Sequence, residues 1–410
     1  MFTVIPISNF SKSIFDQVTP AQIKQLQKAS SCYIVNSYIF NQLQNVTFPI
    51  NNKKGIKNVL EFLEYLDMKI LDSRDGRIEI PKDVFENYFT SIHYTKYQEI
   101  LYKLKIIAVT LHDDGTLYTT NYIGKTEPGV KQLKPKCKIY RVGFDYLNNK
   151  TLAMVIPHER KTEIKVDNRI KGIDKRFVKT IKTVAINLLP AVEDEIAEYR
   201  RGKITFNQLK SRLSRVLQLK RIKFIKKGTN VNRVYHSLSN ISKVSRKHLD
   251  IPFYFIDVKN CQPLLLCALM VKDNHMFDDA YQLDCENAVF YDRFKGFGAN
   301  KIDTKKLLYR HVFFGFKPHE KINQKFKEMY PNTWEYLYDV SKTKESLASK
   351  LQNLESELFN VLIPNKSRHF FTLFDAIYFD RIDDAGAITI TIQDFFGELG
   401  LKVQVDFDKN

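Results

Sequence analysis

Phe253-Tyr254-Phe255-Ile256-Asp257-Val258-Lys259-Asn260-Cys261-Gln262-Pro263 is the stretch on which the fold of this chain turns. Its aromatic and β-branched run predicts a buried strand. An aspartate closes the run, just before the apolar, helix-like segment Leu264 to Met270. A carboxylate in such a setting is costly unless it is paired or bound to a cation. A second stretch repeats the feature: Phe370-Phe371-Thr372-Leu373-Phe374-Asp375-Ala376-Ile377-Tyr378-Phe379-Asp380 sets Asp375 inside an apolar strand-turn-strand pattern. Either aspartate alone reads most simply as a cap or turn residue. Two of them on adjacent strands can hold a pair of hard divalent cations about 4 Å apart, as in-line phosphoryl displacement requires.

Between them lies Asp303-Thr304-Lys305-Lys306-Leu307-Leu308-Tyr309-Arg310-His311-Val312-Phe313-Phe314-Gly315, with helical spacing. Lys306, Arg310 and either Phe313 or Phe314 fall near one helical face, at i, i+4 and i+7 or i+8. Two cations and a ring at that spacing suit a triphosphate and a base or sugar. Taken in isolation, the segment is an ordinary amphipathic helix with exposed lysines.

The bulk properties agree with a polyanionic partner. The chain has 410 residues, 44% hydrophobic and 13% aromatic, enough for two or three domains with real cores. Lys and Arg number 64 against 46 Asp and Glu, a formal net charge of +18, with a sequence pI near 9.4. So basic a balance favours nucleic acid as a partner over charge that serves solubility alone. Met1 to Pro6 has no basic region followed by an apolar one, so no secretory signal is expected. No apolar run approaches the roughly 18 residues needed to cross a bilayer, and no membrane partner is expected. Cys32, Cys137, Cys261, Cys267 and Cys285 are scattered, without a Cys-x-x-Cys pair. They suggest neither a disulfide framework nor a zinc site, and fit a reducing, cytoplasmic compartment.

Pattern changes near 145–170 and at the basic turn Lys226-Lys227-Gly228-Thr229-Asn230, which ends a long helical stretch. From about 50 to 142 the order reads helix, helix, helix, strand, strand. The strands are expected at Thr116 to Tyr122 and Cys137 to Val142, joined by the loop Gly124 to Lys136. Helices followed by a basic hairpin suggest a winged helix, with a small structural α+β domain as an equal alternative on pattern alone. From about 168 to 226 the chain reads helical and basic, with Lys171, Lys175, Arg176, Lys179 and Lys182 in one cluster. Arg200, Arg201, Lys203, Lys210, Arg212, Arg215, Lys220, Arg221 and Lys223 continue it. Leu209, Leu213, Val216 and Leu217 mark an inner face, which leaves the cations outside to meet phosphates.

Taken in order, these segments resemble the superfamily of family A DNA polymerases and single-subunit phage RNA polymerases. Asn232-Arg233-Val234-Tyr235-His236-Ser237-Leu238-Ser239-Asn240-Ile241 is similar to the segment before the family's first palm motif. Asp257 matches the first palm aspartate and Asp375 the second, with Phe374 where a histidine is usual. Lys306 and Phe314-Gly315 are spaced like the finger helix's lysine and its terminal aromatic-Gly pair. The resemblance covers about 230 to 385, and its Asn-Cys-Gln-Pro form is closest to the compact polymerases of transposons and DNA viruses.

The resemblance implies an α+β fold: a right-hand polymerase palm with helical fingers and thumb, plus the N-terminal winged-helix-like domain. The expected boundaries are 1–150 for that domain, 165–228 for a thumb-like region, and 229–410 for a palm with fingers inserted at about 265–350. It implies a nucleotidyltransferase, a DNA polymerase within whose group primase activity also occurs. Two Mg²⁺ ions, with Mn²⁺ as a substitute, are expected on Asp257 and Asp375, beside a catalytic Lys306. Arg310, Phe314 and Gln262 are expected to bind the nucleotide, Gln262 as a bulky gate against the 2′-hydroxyl. Arg233, Asn240 and Arg246 are expected to contact a DNA primer–template or single-stranded template. Two rival readings are a non-catalytic DNA-binding replication initiator and a single-subunit RNA polymerase.

Overall fold

In the computed structural model, the strand read around Asp257 forms over Tyr254–Val258 and gains a partner on each side. The structure describes residues 2–7, 10, 12–29, 32–73, 77–110, 138–142, 146, 151–157, 163–169, 173–228, 231–343, 345–362 and 367–409. The chain divides into two units. One comprises Met1–Glu163, Ala185–Ile222 and Ile241–His248; the other comprises Ile164–Val184, Lys223–Asn240 and Leu249–Asn410. The fold class is α+β in both, with small antiparallel sheets among helices.

The second unit holds a four-stranded sheet in the order Phe370–Leu373, Ala376–Phe379, Tyr254–Val258, Val405–Lys409, every pair antiparallel. Side chains alternate between its faces. Phe255, Tyr378 and Phe371 stack in a row on one face, at centroid distances of 5.3 and 4.7 Å. Tyr254, Phe379 and Phe407 pack on the other. After the central strand, Asn260 takes the left-handed conformation (φ 51°) and turns the chain into the helix Cys261–Lys272. Asparagine is among the few residues that adopt it readily. Pro263 falls in the first turn of that helix, where its missing N–H loses no bond. The helix is buried from Cys261 to Met270, as its apolar sequence demands.

Between this helix and the strand Phe370–Leu373 come the helices Asp279–Glu286, Lys301–Leu308, Lys321–Met329, Pro331–Ser341 and Leu347–Glu357. An aromatic cluster of Tyr281, Phe290, Phe294, Phe326 and Tyr330 joins the first and third of these through the 3₁₀ turn Phe290–Phe294. The helix Lys175–Thr183 packs on the strand Phe370–Leu373, where Phe177 meets Phe370 (5.9 Å) and Phe370 N–H donates to Thr180 Oγ1 (3.1 Å). Its exposed flank carries Lys175, Lys179 and Lys182. The basic turn expected at Lys226-Lys227 is the end of a strand, Ile222–Lys227, paired with Val234–His236. Lys223 and Ile225 alternate inward there, a strand period that the surrounding lysines hide.

In the first unit, the strand Leu152–Pro157 lies between Phe2–Ile7 and Tyr33–Asn36. The helices Asn52–Asp72, Lys82–Phe89 and Tyr94–Lys103 enclose an aromatic core of Phe62, Phe85, Phe89 and Tyr97. A short strand, Arg77–Glu79, interrupts the expected run of three helices. Ile139–Val142 pairs with it on one side and with Ile107–Thr110 on the other. The expected strand Thr116 to Tyr122, the loop Gly124 to Lys136 and Lys171 lie outside the described residues.

The stretch 165–228 is shared between the units: the helix Lys175–Thr183 belongs to the second, and the helices Leu188–Arg200 and Phe206–Arg221 to the first. Several of its cations turn inward, against expectation. Lys210 is 4% exposed, bridges Asp67 (2.8 Å) and lies over the Tyr146 ring. Arg221 is held by Glu61, Glu64 and the Tyr33 hydroxyl. Arg212 pairs with buried Glu195, and Lys223 donates to the carbonyls of Lys182 and Val184. For Lys210 and Arg221 the cause is the acidic row Glu61, Glu64 and Asp67 on one side of the helix Asn52–Asp72, which needs buried cations. Among the described residues no helix is long and apolar enough to cross a membrane. Cys32, Cys261, Cys267 and Cys285 are buried and free.

Lys210→Met strands the Asp67 carboxylate in the core and is expected to lower the unfolding free energy by about 3–5 kcal/mol in urea titration. Adding Asp67→Asn is expected to restore much of that loss.

Candidate active site

Leu373 and Ala376 end two paired strands, and Phe374-Asp375 makes the tight turn between them. Val258 N–H donates to the Asp375 carbonyl (3.1 Å), and Asp257 stands opposite Ala376. The two aspartates therefore sit at the same end of the same strand pair, both half-buried. On its other side Asp257 faces Asp406, which is exposed and pairs with Lys259 (2.9 Å).

Phe374 has a φ of 55°, an uncommon conformation for so bulky a residue, costing about 1–3 kcal/mol. The surroundings hold it: the Arg233 guanidinium lies 4.7 Å from its ring centroid, and Tyr235 packs edge-on at 6.3 Å. Burial raises the Asp375 carboxyl above the usual range, while Lys305 and then Arg233 pull it back. A half-buried carboxylate facing two cations is poised to gain from further positive charge.

A third carboxylate, Glu355, organises the neighbourhood. It is 2% exposed and accepts from Arg233 Nε and Nη2 (2.9, 2.6 and 2.7 Å) and from Gln262 Nε2 (2.5 Å). Burial pushes its carboxyl up to about 7; Arg233 opposes the shift and Asp375 adds to it. Gln262 is buried, and its Oε1 has no hydrogen-bond partner. Glu355 was not singled out from sequence, although a signal existed. Leu347, Leu351, Leu354 and Leu358 mark the inner face of its helix, and Glu355 falls four residues after Leu351 on that face.

The cation turned to Asp375 is Lys305, whose ammonium lies over the Tyr291 and Tyr309 rings (5.4 and 5.5 Å). The two phenol oxygens are 3.0 Å apart, and burial pushes both hydroxyls up. Lys306 is exposed and pairs with Asp303 (3.3 Å). Arg310 is exposed as well, and Phe314 is 40% exposed, stacked on Tyr309 at 5.0 Å. The offset has a physical origin. The helix Lys301–Leu308 widens into a π turn over Tyr309–Phe313, in which Phe314 N–H donates to the Tyr309 carbonyl (2.8 Å). A π turn adds one residue to the ladder, so counting back eight from Phe314 lands on Lys306 rather than on its inward neighbour. Gly315 follows, where a Cβ would stand 2.5 Å from the Arg310 carbonyl oxygen.

Arg233 and Gln262 thus join the aspartates through Glu355, and Lys305 replaces Lys306 on the inward face. Asn240 lies in a short 3₁₀ turn of the second unit. Arg246 belongs to the first unit and donates to the Ile241 carbonyl (2.6 Å). The chain matches no protein-family model and no curated protein by sequence. The site gathers hard oxygen donors at one strand end, a lysine and an arginine beside them, and stacked rings on the flanking helix.

Glu355 carries a pH signature. Below its ordinary value of 4.5 the carboxyl is neutral both folded and unfolded; from there to about 7 only the folded chain keeps the proton. Unfolding free energy therefore falls as pH rises through that window. Glu355→Gln is expected to flatten this part of the stability–pH profile, read by thermal or urea unfolding against wild type.

Proposed function

We propose that this chain is a template-directed nucleotidyltransferase, a DNA polymerase of the right-hand type, with Asp257 and Asp375 at its reaction centre. The observation that carries the reading is the strand-end junction, where a backbone hydrogen bond locks the Asp375 turn beside Asp257. The four-stranded antiparallel sheet suits a palm, and the helices between its strands suit inserted fingers. The first unit supports a DNA partner. Among its described residues the elements from Asn52–Asp72 to Ile139–Val142 run helix, strand, helix, helix, strand, strand, with the last strand between the other two, the order of a winged helix.

Asp257 and Asp375 fit Mg²⁺: they are hard oxygen donors, and Asp375 is a half-buried carboxylate whose charge is only partly offset. Mg²⁺ is ordinarily held by one or two carboxylates together with substrate phosphates. Bound there, it supplies positive charge that acidifies a 3′-hydroxyl and neutralises a triphosphate. In the reaction, the 3′-oxygen bonds to the α-phosphorus of the incoming nucleotide, the bond to pyrophosphate breaks, and the hydroxyl proton is released. Lys305 holds the negative charge of the triphosphate and donates to the departing pyrophosphate. Arg233, held in place by Glu355, keeps the Phe374-Asp375 turn in its strained form. Gln262, fixed by the same carboxylate, stands as the bulky gate that favours deoxynucleotides. Phe314 and Tyr309 offer a stacked face to the base.

Primer extension with Mg²⁺ and either dNTPs or rNTPs tests the reading. Wild type is expected to extend with dNTPs, while Asp257→Asn and Asp375→Asn each lose about 10³-fold or more and still bind the primer–template. Lys305→Ala is expected to lower the rate by about 10²–10³-fold, with Lys306→Ala remaining near wild type. Extension with rNTPs alone makes it an RNA polymerase. Tight DNA binding with no extension from either pool, with or without a primer, overturns the catalytic reading in favour of a replication initiator.

A further inference from the structure

The helix Pro331–Ser341 has an inner face of Thr333, Tyr336, Leu337 and Val340, all buried. Trp334 and Tyr338 lie one turn apart on its outer flank, nearly parallel (8°) with centroids 5.3 Å apart. Phe316 packs against both, at 5.6 and 6.2 Å. Core packing does not require this stack, since Tyr338 remains 38% exposed. The rings are nevertheless fixed. Trp334 Nε1 donates to Asn323 Oδ1 (2.5 Å), and Asn323 Nδ2 donates to the His311 carbonyl within the π turn (2.6 Å). Lysine ammoniums lie over the rings: Lys327 is 4.3 Å from Trp334, and Lys342 is 3.8 Å from Tyr338.

We propose that Phe316, Trp334 and Tyr338 form a platform for unpaired bases of a single DNA strand. Planar rings held at the surface beside mobile cations are what such a strand needs: faces to stack on and charges for its phosphates. Surface cation–π contacts are weak, and both lysines are exposed. An arriving base displaces an ammonium from a ring, and the ammonium moves to the adjoining phosphate. Lys342 also pairs with Asp339 (3.1 Å), a surface contact of little strength. A duplex hides its base faces, so the platform selects unpaired strands.

The platform also leads towards the reaction centre. Gly315 separates Phe314, which stacks on Tyr309, from Phe316, which joins Trp334. Two residues span at most about 7 Å, so the two ring stacks follow one another along the chain. The identity of the strand as a template rests on the polymerase reading; binding itself does not.

Trp334 is the single tryptophan in the chain, so its fluorescence reports this site alone. The test titrates the full chain, without nucleotides or divalent ions, with an oligothymidylate and with a blunt duplex of equal length. Quenching by the oligothymidylate and not by the duplex is expected. Tyr338→Ala is expected to weaken single-strand binding about tenfold or more, and Tyr338→Phe to restore it. Lys327→Ala with Lys342→Ala is expected to lower the slope of log affinity against log salt by about 1.4, the increment for two phosphate contacts on a single strand. Equal quenching by the duplex, or wild-type binding by Tyr338→Ala, overturns the proposal. Running the titration with Asp257→Asn as well separates the two readings, because that variant keeps the platform whatever happens to synthesis.

Discussion

The hydrogen bond from Val258 N–H to the Asp375 carbonyl is the contact on which the placement of the second unit's two aspartates depends. It joins the end of the central strand to a tight turn more than a hundred residues later in the chain, and everything between them returns to that point. Without it, Asp257 is a strand residue and Asp375 a turn residue, as each reads alone. With it, two carboxylates share one end of a sheet whose interior is otherwise aromatic and aliphatic. Placing two like charges there is unfavourable in a low-dielectric setting. Lys305 and Arg233 offset part of the cost at Asp375.

The backbone around the junction bears part of that cost. Phe374 stays in a left-handed conformation because Arg233 and Tyr235 hold its ring, and Arg233 stays because Glu355 holds its guanidinium. Strain at the turn is thereby carried by an ion pair whose acid sits on the helix Leu347–Glu357. The first unit uses buried charge differently. Its pairs of Lys210 with Asp67 and of Arg221 with Glu61 and Glu64 bind the helix Phe206–Arg221 to the helix Asn52–Asp72.

Much of the second unit was legible because its signals were local. The aromatic strand before Asp257 and the strand-turn-strand around Asp375 each announce themselves within about ten residues, and both elements form. What escaped was long-range. Glu355 is nearly a hundred residues from Gln262, and nothing in its own helix says which arginine it meets. Lys305 was passed over because a regular 3.6-residue repeat cannot register the extra residue of a π turn. Lys210 and Arg221 read outward on charge alone, although the acids that bury them sit on the helix Asn52–Asp72, far away in sequence. In the first unit a three-residue strand, Arg77–Glu79, was too short to show any period.

A single carboxylate holding both Arg233 and Gln262 has an evolutionary consequence. The arginine braces the Asp375 turn and the glutamine lines the neighbouring space, yet neither can be replaced without leaving Glu355 with a changed set of donors. Effects of substitutions at these three positions are non-additive, as they are for side chains sharing one network. A substitution tolerated at one of these positions therefore depends on which residues occupy the other two.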